Sequence, residues 1–154
     1  MNRIIFFFSL WSLSLSVYGQ TAEIRNSYHF ATKSKADAES FYNLVKNINP
    51  SDKAEMVAYK GAAKALLARY EPLSKRKEKL KEGIQWVEDA VAKAPKNVEV
   101  RLIRLSIQEN LPKFLKYDQN IEEDRKFIQE SLPNIKDKGL VEMIKGYFSE
   151  YPQK

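Results

Sequence analysis

With 154 residues, the chain has room for one domain, and its 44% hydrophobic and 30% charged residues exclude a largely disordered protein. Only five glycines disfavour a strand-and-turn architecture and favour helices, and the absence of cysteine excludes disulfides. The net charge of +6 favours acidic partners weakly and falls well short of a nucleic-acid-binding composition.

Residues 1–19 have the features of a secretory signal peptide. Segment 1–3 carries an arginine, 4–17 is apolar apart from serines, and Gly19 ends a stretch that suits a signal peptidase. We expect cleavage after Gly19 and a single helical domain over 20–154. The alternative is an uncleaved anchor, but the apolar stretch falls short of the roughly 20 residues that a spanning helix needs. The sequence therefore predicts a bacterial periplasmic or secreted protein with no stable membrane span.

Two helices are predicted before Pro50. The first is short, and its apolar side consists of Ile24, Tyr28 and Ala31. The second has apolar residues at spacings of three and four, namely Ala38, Phe41, Val45 and Ile48. Ser34 is available as the cap of this second helix.

A long helix is predicted after Pro50, with Asp52 as its cap and Glu55 completing a capping box. Its heptad-like stripe consists of Met56, Tyr59, Ala63, Leu66 and Tyr70. A second stripe is made of small residues, Ala58, Gly61 or Ala62, and Ala65. Because glycine inside a helix costs roughly 0.5–1 kcal/mol relative to alanine, Gly61 is tolerated best where another helix comes close. We therefore expect neighbours on two sides of this helix.

Four more segments complete the chain. After a break at 71–74, one helix has an apolar face formed by Leu80, Ile84, Val87, Val91 and Ala94. Asn97 caps the next helix, which is apolar on more than one side and is predicted to be the most buried. A short aromatic connector leads to a helix that starts at Asp118, and the last helix covers 139–151. The count of about seven helices and no strand predicts an all-α fold.

Three segments share the spacing found at the end of a tetratricopeptide repeat. The first contains Gly83, Val87, Ala90 and Pro95. Ala38, Tyr42, Val45 and Pro50 have the same offsets, and Ile121, Arg125, Ile128 and Pro133 keep the spacing without the residue types. The chain therefore resembles this family at the ends of its helix pairs. The resemblance implies antiparallel pairs in a tetratricopeptide-like α-α superhelix, with an irregular helical bundle as the alternative.

Two departures limit this resemblance. The three prolines are 45 and 38 residues apart, whereas the regular period is about 34. The signature of the first helix of the repeat is also missing. At the level of the whole chain, "AYKGAAKALLARY", "GIQWVEDAVAKAPKNVEVRLIRLSIQENLPKFLKY" and "NIEEDRKFI" resemble a family of short exported bacterial all-helical proteins of unknown function. That resemblance implies a fold and an export route, and no mechanism.

Few residues in this sequence suit catalysis. His29 is the only histidine, it lies far from any nucleophile motif, and no cysteine can join it at a zinc ion. Two acidic runs, 122–124 and 88–89, place adjacent carboxylates on one helix, where they point in different directions. We interpret both as solvated faces. The sequence therefore predicts a protein that is not an enzyme and has no cofactor and no metal.

A basic patch lies in "KRKEKLK" and consists of Lys75, Arg76, Lys77, Lys79 and Lys81. It can attract an anionic polymer. The structural alternative is a solvated, partly frayed helix start, and the patch lacks the interleaved aromatic residues of single-stranded nucleic-acid binders. No nucleic-acid partner is therefore expected.

A polar stripe of Arg101, Arg104 and Gln108 recurs at spacings of three and four on the helix predicted to be most buried. Since a buried guanidinium without a partner costs several kcal/mol, something must pair with it. The structural alternative is pairing with Glu88, Glu99 or backbone carbonyls. The functional alternative is a polar floor in the concave groove of a helical solenoid, faced by Tyr59 and suited to an acidic segment or carboxylate.

Three functions are compatible with these features. The favoured one is an exported module that binds an unknown protein or peptide through a helical groove or face. The second is binding of anionic envelope polymers or surfaces through the basic patch. The third, a small carboxylate-dependent hydrolase, requires two acidic side chains that converge from different helices. The sequence does not require an oligomer.

Overall fold

The computed structural model describes residues 12–152, with side chains from residue 19 onward. Seven α-helices follow one another: α1 Ser12–Phe30, α2 Lys35–Val45, α3 Ala54–Leu67, α4 Leu73–Lys93, α5 Val98–Asn110, α6 Ile121–Ser131 and α7 Lys138–Glu150. Single 3-10 turns follow α3, α5 and α6 at Ala68–Tyr70, Lys113–Leu115 and Leu132–Asn134. No strand occurs among the described residues, which confirms the all-α prediction. Most of the predicted signal peptide lies outside them.

The helix caps were predicted correctly at some positions and wrongly at others. The side chains of Ser34 and Asn97 accept hydrogen bonds from the first turns of α2 and α5, as predicted. The predicted capping box at Asp52 is wrong, because its carboxylate accepts the N–H of Asn49 instead and α3 begins without a side-chain cap. The prediction that Asp118 starts a helix is also wrong, since α6 begins three residues later, at Ile121.

The odd-numbered helices run in the same direction. Between α3 and α5, Glu55 lies near Asn97 and Tyr59 near Glu99, so both helices advance together. Between α1 and α5, Arg25 contacts Glu99 and Tyr28 contacts Ser106. The same direction holds for α7, because Asp137 at its start contacts Arg25 of α1 and Tyr147 near its end contacts Glu109 of α5. The C-terminal ends of α1, α3, α5 and α7 therefore lie at one end of the molecule, which we call the distal end.

The helices α2 and α4 run against this direction. The Lys64 Nζ atom of α3 lies 2.6 Å from Glu82, near the middle of α4, whereas Lys93 at the end of α4 donates to a backbone carbonyl just before α3. The N-terminus of α4 is therefore at the distal end. The N-terminus of α2 is there too, because residues of α2 line a cavity with Leu67 and Tyr70.

Two glycines allow α3 and α4 to pack closely. A Cβ atom added to Gly83 would lie 2.6 Å from the backbone nitrogen of Ala65 and 2.7 Å from the carbonyl oxygen of Gly61. A Cβ atom on Gly61 would meet the Gly83 carbonyl oxygen at 2.7 Å. This crossing confirms the prediction that Gly61 marks a close approach. Because α3 also packs on α2 and α5, it has neighbours on more than one side.

The core consists of two clusters that share α5. The first joins α1 to α5, and its largest members include Ile24, Phe41, Val57, Tyr59, Val87 and Ile103. The second joins α5 to α6 and α7 through Leu102, Leu105, Ile128, Leu140 and Ile144. Residues of α5 are buried on almost every side, so the prediction that this helix is the most buried is confirmed.

Candidate binding groove

A cavity of about 1040 Å³ lies between the four parallel helices α1, α3, α5 and α7. Its apolar lining includes Ala62, Ala65, Leu66, Ile107, Leu111 and Met143. We call this cavity the groove. It exists because α3 and α7 present small residues to it, so their backbones form walls that side chains do not fill. At Gly146 of α7, an added Cβ atom would meet no atom within 4 Å.

A network centred on Glu99 fixes the helices around the groove. Arg25 binds this carboxylate through two nitrogens, at 2.7 and 2.6 Å, and its third nitrogen lies 2.9 Å from Asp137 at the start of α7. The Tyr59 hydroxyl donates to the same carboxylate at 2.6 Å. One acidic side chain of α5 thus joins α1, α3 and, through Arg25, α7.

The protonation states in this network follow from burial and pairing. The hydrogen bond to Glu99 raises the pKa of Arg25 further above its usual value, although burial opposes that shift. Burial, together with the adjacent Glu99 carboxylate, raises the pKa of Tyr59 well above its ordinary value. Burial also tends to raise the pKa of Asp137, but the backbone N–H of Leu140 and the Arg25 guanidinium outweigh it and the pKa is lowered. The network therefore keeps Arg25 and Asp137 charged and Tyr59 neutral over the physiological range.

Charged side chains without a partner lie on two walls of the groove. Arg69 comes from the 3-10 turn that follows α3 at the distal end, and Glu142 and Glu150 come from α7. Among the described residues, no hydrogen bond or ion pair engages any of these three side chains. His29 also lines the groove and is exposed, in agreement with the interpretation of a surface histidine, and its ring lies 4.8 Å from that of Phe30. The groove thus has a free cation on one wall and free carboxylates on another.

The polar stripe of α5 is buried and lies outside the groove lining. Arg101, Arg104 and Gln108 are 7, 5 and 2% exposed. Two nitrogens of Arg104 bind Asp124 at 2.7 and 2.8 Å. The Arg101 guanidinium lies against the same Asp124 carboxylate and donates to Glu123 at 2.6 Å.

These contacts correct the expected surroundings of the stripe. The structural alternative is supported, because α6 covers both arginines and supplies their main partners. Of the predicted partners, Glu88 does contact Arg104, at 3.3 Å, and a backbone carbonyl, that of Pro95, accepts from Arg101. Glu99 instead pairs with Arg25. Tyr59 does not face the stripe, since its hydroxyl donates to Glu99.

The acidic runs are not simply solvated faces. Asp124 is fully buried, which is possible because both stripe arginines compensate its charge. Glu88 accepts a hydrogen bond from the hydroxyl of Tyr117. Burial is the main cause that raises the pKa of Tyr117, and the adjacent Glu88 carboxylate raises it further. The remaining members, Glu122, Glu123 and Asp89, are exposed, so the interpretation is correct for them alone.

The basic patch is exposed to solvent, as its structural alternative, a solvated helix start, predicts. All five of its side chains are exposed on the first turns of α4. Arg76 donates to the carbonyl oxygen of Glu71 at 3.0 Å, and Lys79 lies 3.9 Å from Glu82. None of the five lines the groove.

The lining of the groove contains two acidic residues. Both of them, Glu142 and Glu150, belong to α7, whereas a hydrolase of the kind considered needs carboxylates from different helices. Residues 12–152 contain no cluster of side chains suited to holding a metal ion. Among the described helices, none combines the length and hydrophobicity that a bilayer-spanning segment requires.

Comparisons with family models, with curated proteins and with solved structures found no match.

The sequence contained a weak signal for one wall of the groove. In α7, Gly139, Met143 and Gly146 recur at spacings of four and three, so small and flexible residues share one face of that helix. Arg69 gave no such signal, because an arginine at the end of a helix is most often a solvated C-terminal cation.

Proposed function

We propose that this protein is an exported, non-catalytic interaction module whose groove binds an amphipathic segment of a protein or peptide. The observation that carries the proposal is a cavity of about 1040 Å³ that combines an apolar lining with unpaired charges of both signs from different walls. A tetratricopeptide-like fold agrees with this use, because helical solenoids bind ligands along their concave surfaces. The order of parallel odd-numbered helices around the groove supports that fold.

The shape and the charges of the groove favour a peptide over a small molecule. Its volume is at the upper limit of ordinary small-molecule sites, which measure about 300–1000 Å³. An amphipathic helix can place its apolar side chains on Leu66, Ile107 and Met143. Its charged side chains can then pair with Arg69 on one wall and Glu142 on the other, which fixes the direction of the segment.

Export rests on the predicted signal peptide, and the fold is compatible with its removal. The helix α1 continues through Gly19 and Gln20. Cleavage there leaves the helix from Gln20 to Phe30, which includes the buried Ile24 and the paired Arg25. Mass spectrometry of the protein recovered from the periplasm or medium tests this, with an N-terminus at Gln20 as the expected result.

The groove is tested by blocking it. Peptides that bind the protein are first selected from a displayed random library, and their dissociation constants are measured by fluorescence polarisation. The Gly146→Trp variant introduces an indole at an exposed position in the lining of the groove, where an added Cβ atom meets no atom within 4 Å. We expect binding to be lost.

The matched control is Gln129→Trp, an uncharged and exposed position on α6 that does not line the groove. This variant should bind the peptides as the original protein does. Equal affinity of both variants for every selected peptide would show that the groove is not the binding site. Circular dichroism of both variants confirms that their helix content is unchanged.

A further inference from the structure

The start of α4 extends beyond the packed part of the fold. Every side chain from Leu73 through Lys79 is exposed, and the first buried residue of the helix is Gly83. The helix has 21 residues, whereas α3 and the 3-10 turn that continues it, on both of which α4 packs, together have 17. About one turn of α4 therefore extends past them at the distal end.

This projecting segment carries an excess of positive charge. The basic patch contributes five cations within residues 75–81, and Glu78 is the only acidic residue among them. The next acidic residue, Glu82, is already paired, since Lys64 lies 2.6 Å away and lowers its pKa. Lys79 also lies near Glu82, at 3.9 Å. No carboxylate pairs with the other four cations of the patch among the described residues, and all four are exposed to an external anion.

Large apolar side chains accompany the patch at the distal end. Leu73 is 81% exposed and immediately precedes the patch. Phe114 is 79% exposed, follows the C-terminus of α5 and lies between Lys113 and Lys116 in the sequence. The C-terminus of α5 and the N-terminus of α4 share the distal end, so both apolar residues lie at the same end of the molecule as the basic patch.

We propose that the distal end binds the surface of an anionic lipid bilayer, such as one containing phosphatidylglycerol. The basic patch would lie against the lipid phosphates, and Leu73 and Phe114 would enter the interface between head groups and acyl chains. A soluble polyanion satisfies the cations equally well but offers nothing to these two apolar side chains. Their exposure beside the lysines is the reason to choose a lipid surface. This surface is distinct from the groove.

Vesicle sedimentation tests the proposal. Of the residues whose burial the structure describes, the chain beginning at Gln20 retains all the buried ones, starting with Ile24, and it lacks the apolar leader that would itself bind lipid. We expect it to sediment with vesicles that contain phosphatidylglycerol and not with pure phosphatidylcholine. High salt should release it, because the screening length falls from about 10 Å at 0.1 M to about 3 Å at 1 M.

The charge contribution is measured with Lys75→Gln/Arg76→Gln/Lys77→Gln. Glutamine keeps the helix propensity of lysine and arginine. At about 1 kcal/mol per cation, the loss of three cations should lower the partition coefficient roughly 100-fold. The control, Lys126→Gln/Lys136→Gln/Lys145→Gln, removes the same total charge from exposed positions of the C-terminal region and should change partition only slightly.

The apolar contribution is measured with Leu73→Ser/Phe114→Ser, which should lower partition severalfold at constant charge. An equal loss in both triple variants would overturn the proposal, since overall charge would then explain the binding. Unchanged partition of the apolar variant, together with full competition by soluble polyphosphate, would overturn it in favour of a polyanion. Absence of binding to the anionic vesicles would overturn it directly.

Discussion

The crossing of α3 and α4 permits a sharp prediction for Gly83→Ala. An alanine Cβ atom at this position would lie 2.6 Å from the nitrogen and 3.0 Å from the Cα atom of Ala65. It would also lie 2.7 Å from the carbonyl oxygen of Gly61. All three atoms belong to the backbone of α3, so no change of rotamer can relieve the contacts. The two helices must move apart.

The size of the effect follows from two opposing contributions. Ordinary contact begins near 3.4 Å, so the closest pair must separate by about 3.4 − 2.6 = 0.8 Å. Overpacking of this kind costs about 1–3 kcal/mol. Replacing glycine by alanine inside a helix stabilises the helix by about 0.8–1.0 kcal/mol. The difference between these contributions ranges from about 0 to about 2 kcal/mol. Because three backbone contacts must be relieved at once, we expect the upper half of that range, a fall of about 1–2 kcal/mol in the free energy of unfolding.

The same substitution at Gly146 is the control, because a Cβ atom there meets nothing within 4 Å. Gly146→Ala should therefore raise the free energy of unfolding by up to about 1 kcal/mol. Urea unfolding followed by circular dichroism, with an unchanged dependence on urea, measures both values. A Gly83→Ala variant as stable as the original protein, or effects of equal sign at both glycines, would refute the close packing of α3 on α4.

Two further predictions concern buried polar groups. Asp124→Ala removes the buried carboxylate that both stripe arginines share and leaves them only their more exposed partners, Glu123 and Glu88. It should destabilise the fold by about 3–5 kcal/mol in urea unfolding. Glu123→Ala should cost under about 1 kcal/mol because its carboxylate is 63% exposed, and equal losses would contradict the assigned burial. Burial raises the pKa of Tyr28 from 10.0 to about 12, so the folded state retains this proton longer than the unfolded chain. The free energy of unfolding should be unaffected by Tyr28 below pH 10 and should fall as the pH rises from 10 through 12. Tyrosinate absorbance that appears entirely near pH 10 in the folded protein would contradict this.

The sequence was most informative where structure depends on neighbours in the chain. Apolar spacings of three and four predicted the helices, and Ser34 and Asn97 were identified as caps because a cap bonds within its own first turn. The prediction at Asp52 is wrong for a related reason. Asparagine and aspartate also close turns, and the chain uses this carboxylate for the turn at Asn49.

The groove could not be predicted from the sequence because its walls come from helices that are distant along the chain. Nothing local indicates that α1 and α7 both lie beside α3 and α5. The partners of Arg101 and Arg104 were missed for the same reason, since Asp124 becomes buried only when α6 docks on α5. The pattern did indicate that these arginines needed partners, but it did not identify all of them.

The contacts of Arg25 have a consequence for the order in which the molecule forms. Its partner Glu99 is 74 positions further along the chain, and Asp137 is 137 − 25 = 112 positions further along. A polypeptide that emerges from a ribosome or a translocation pore begins with its N-terminus, so α1 must wait for segments that appear much later. Such long separations slow folding, because a long loop must close before any contact is gained. Arg25 therefore meets Glu99 only after α5 has emerged, and Asp137 only at the start of α7, so α1 reaches its final surroundings last although it is made first.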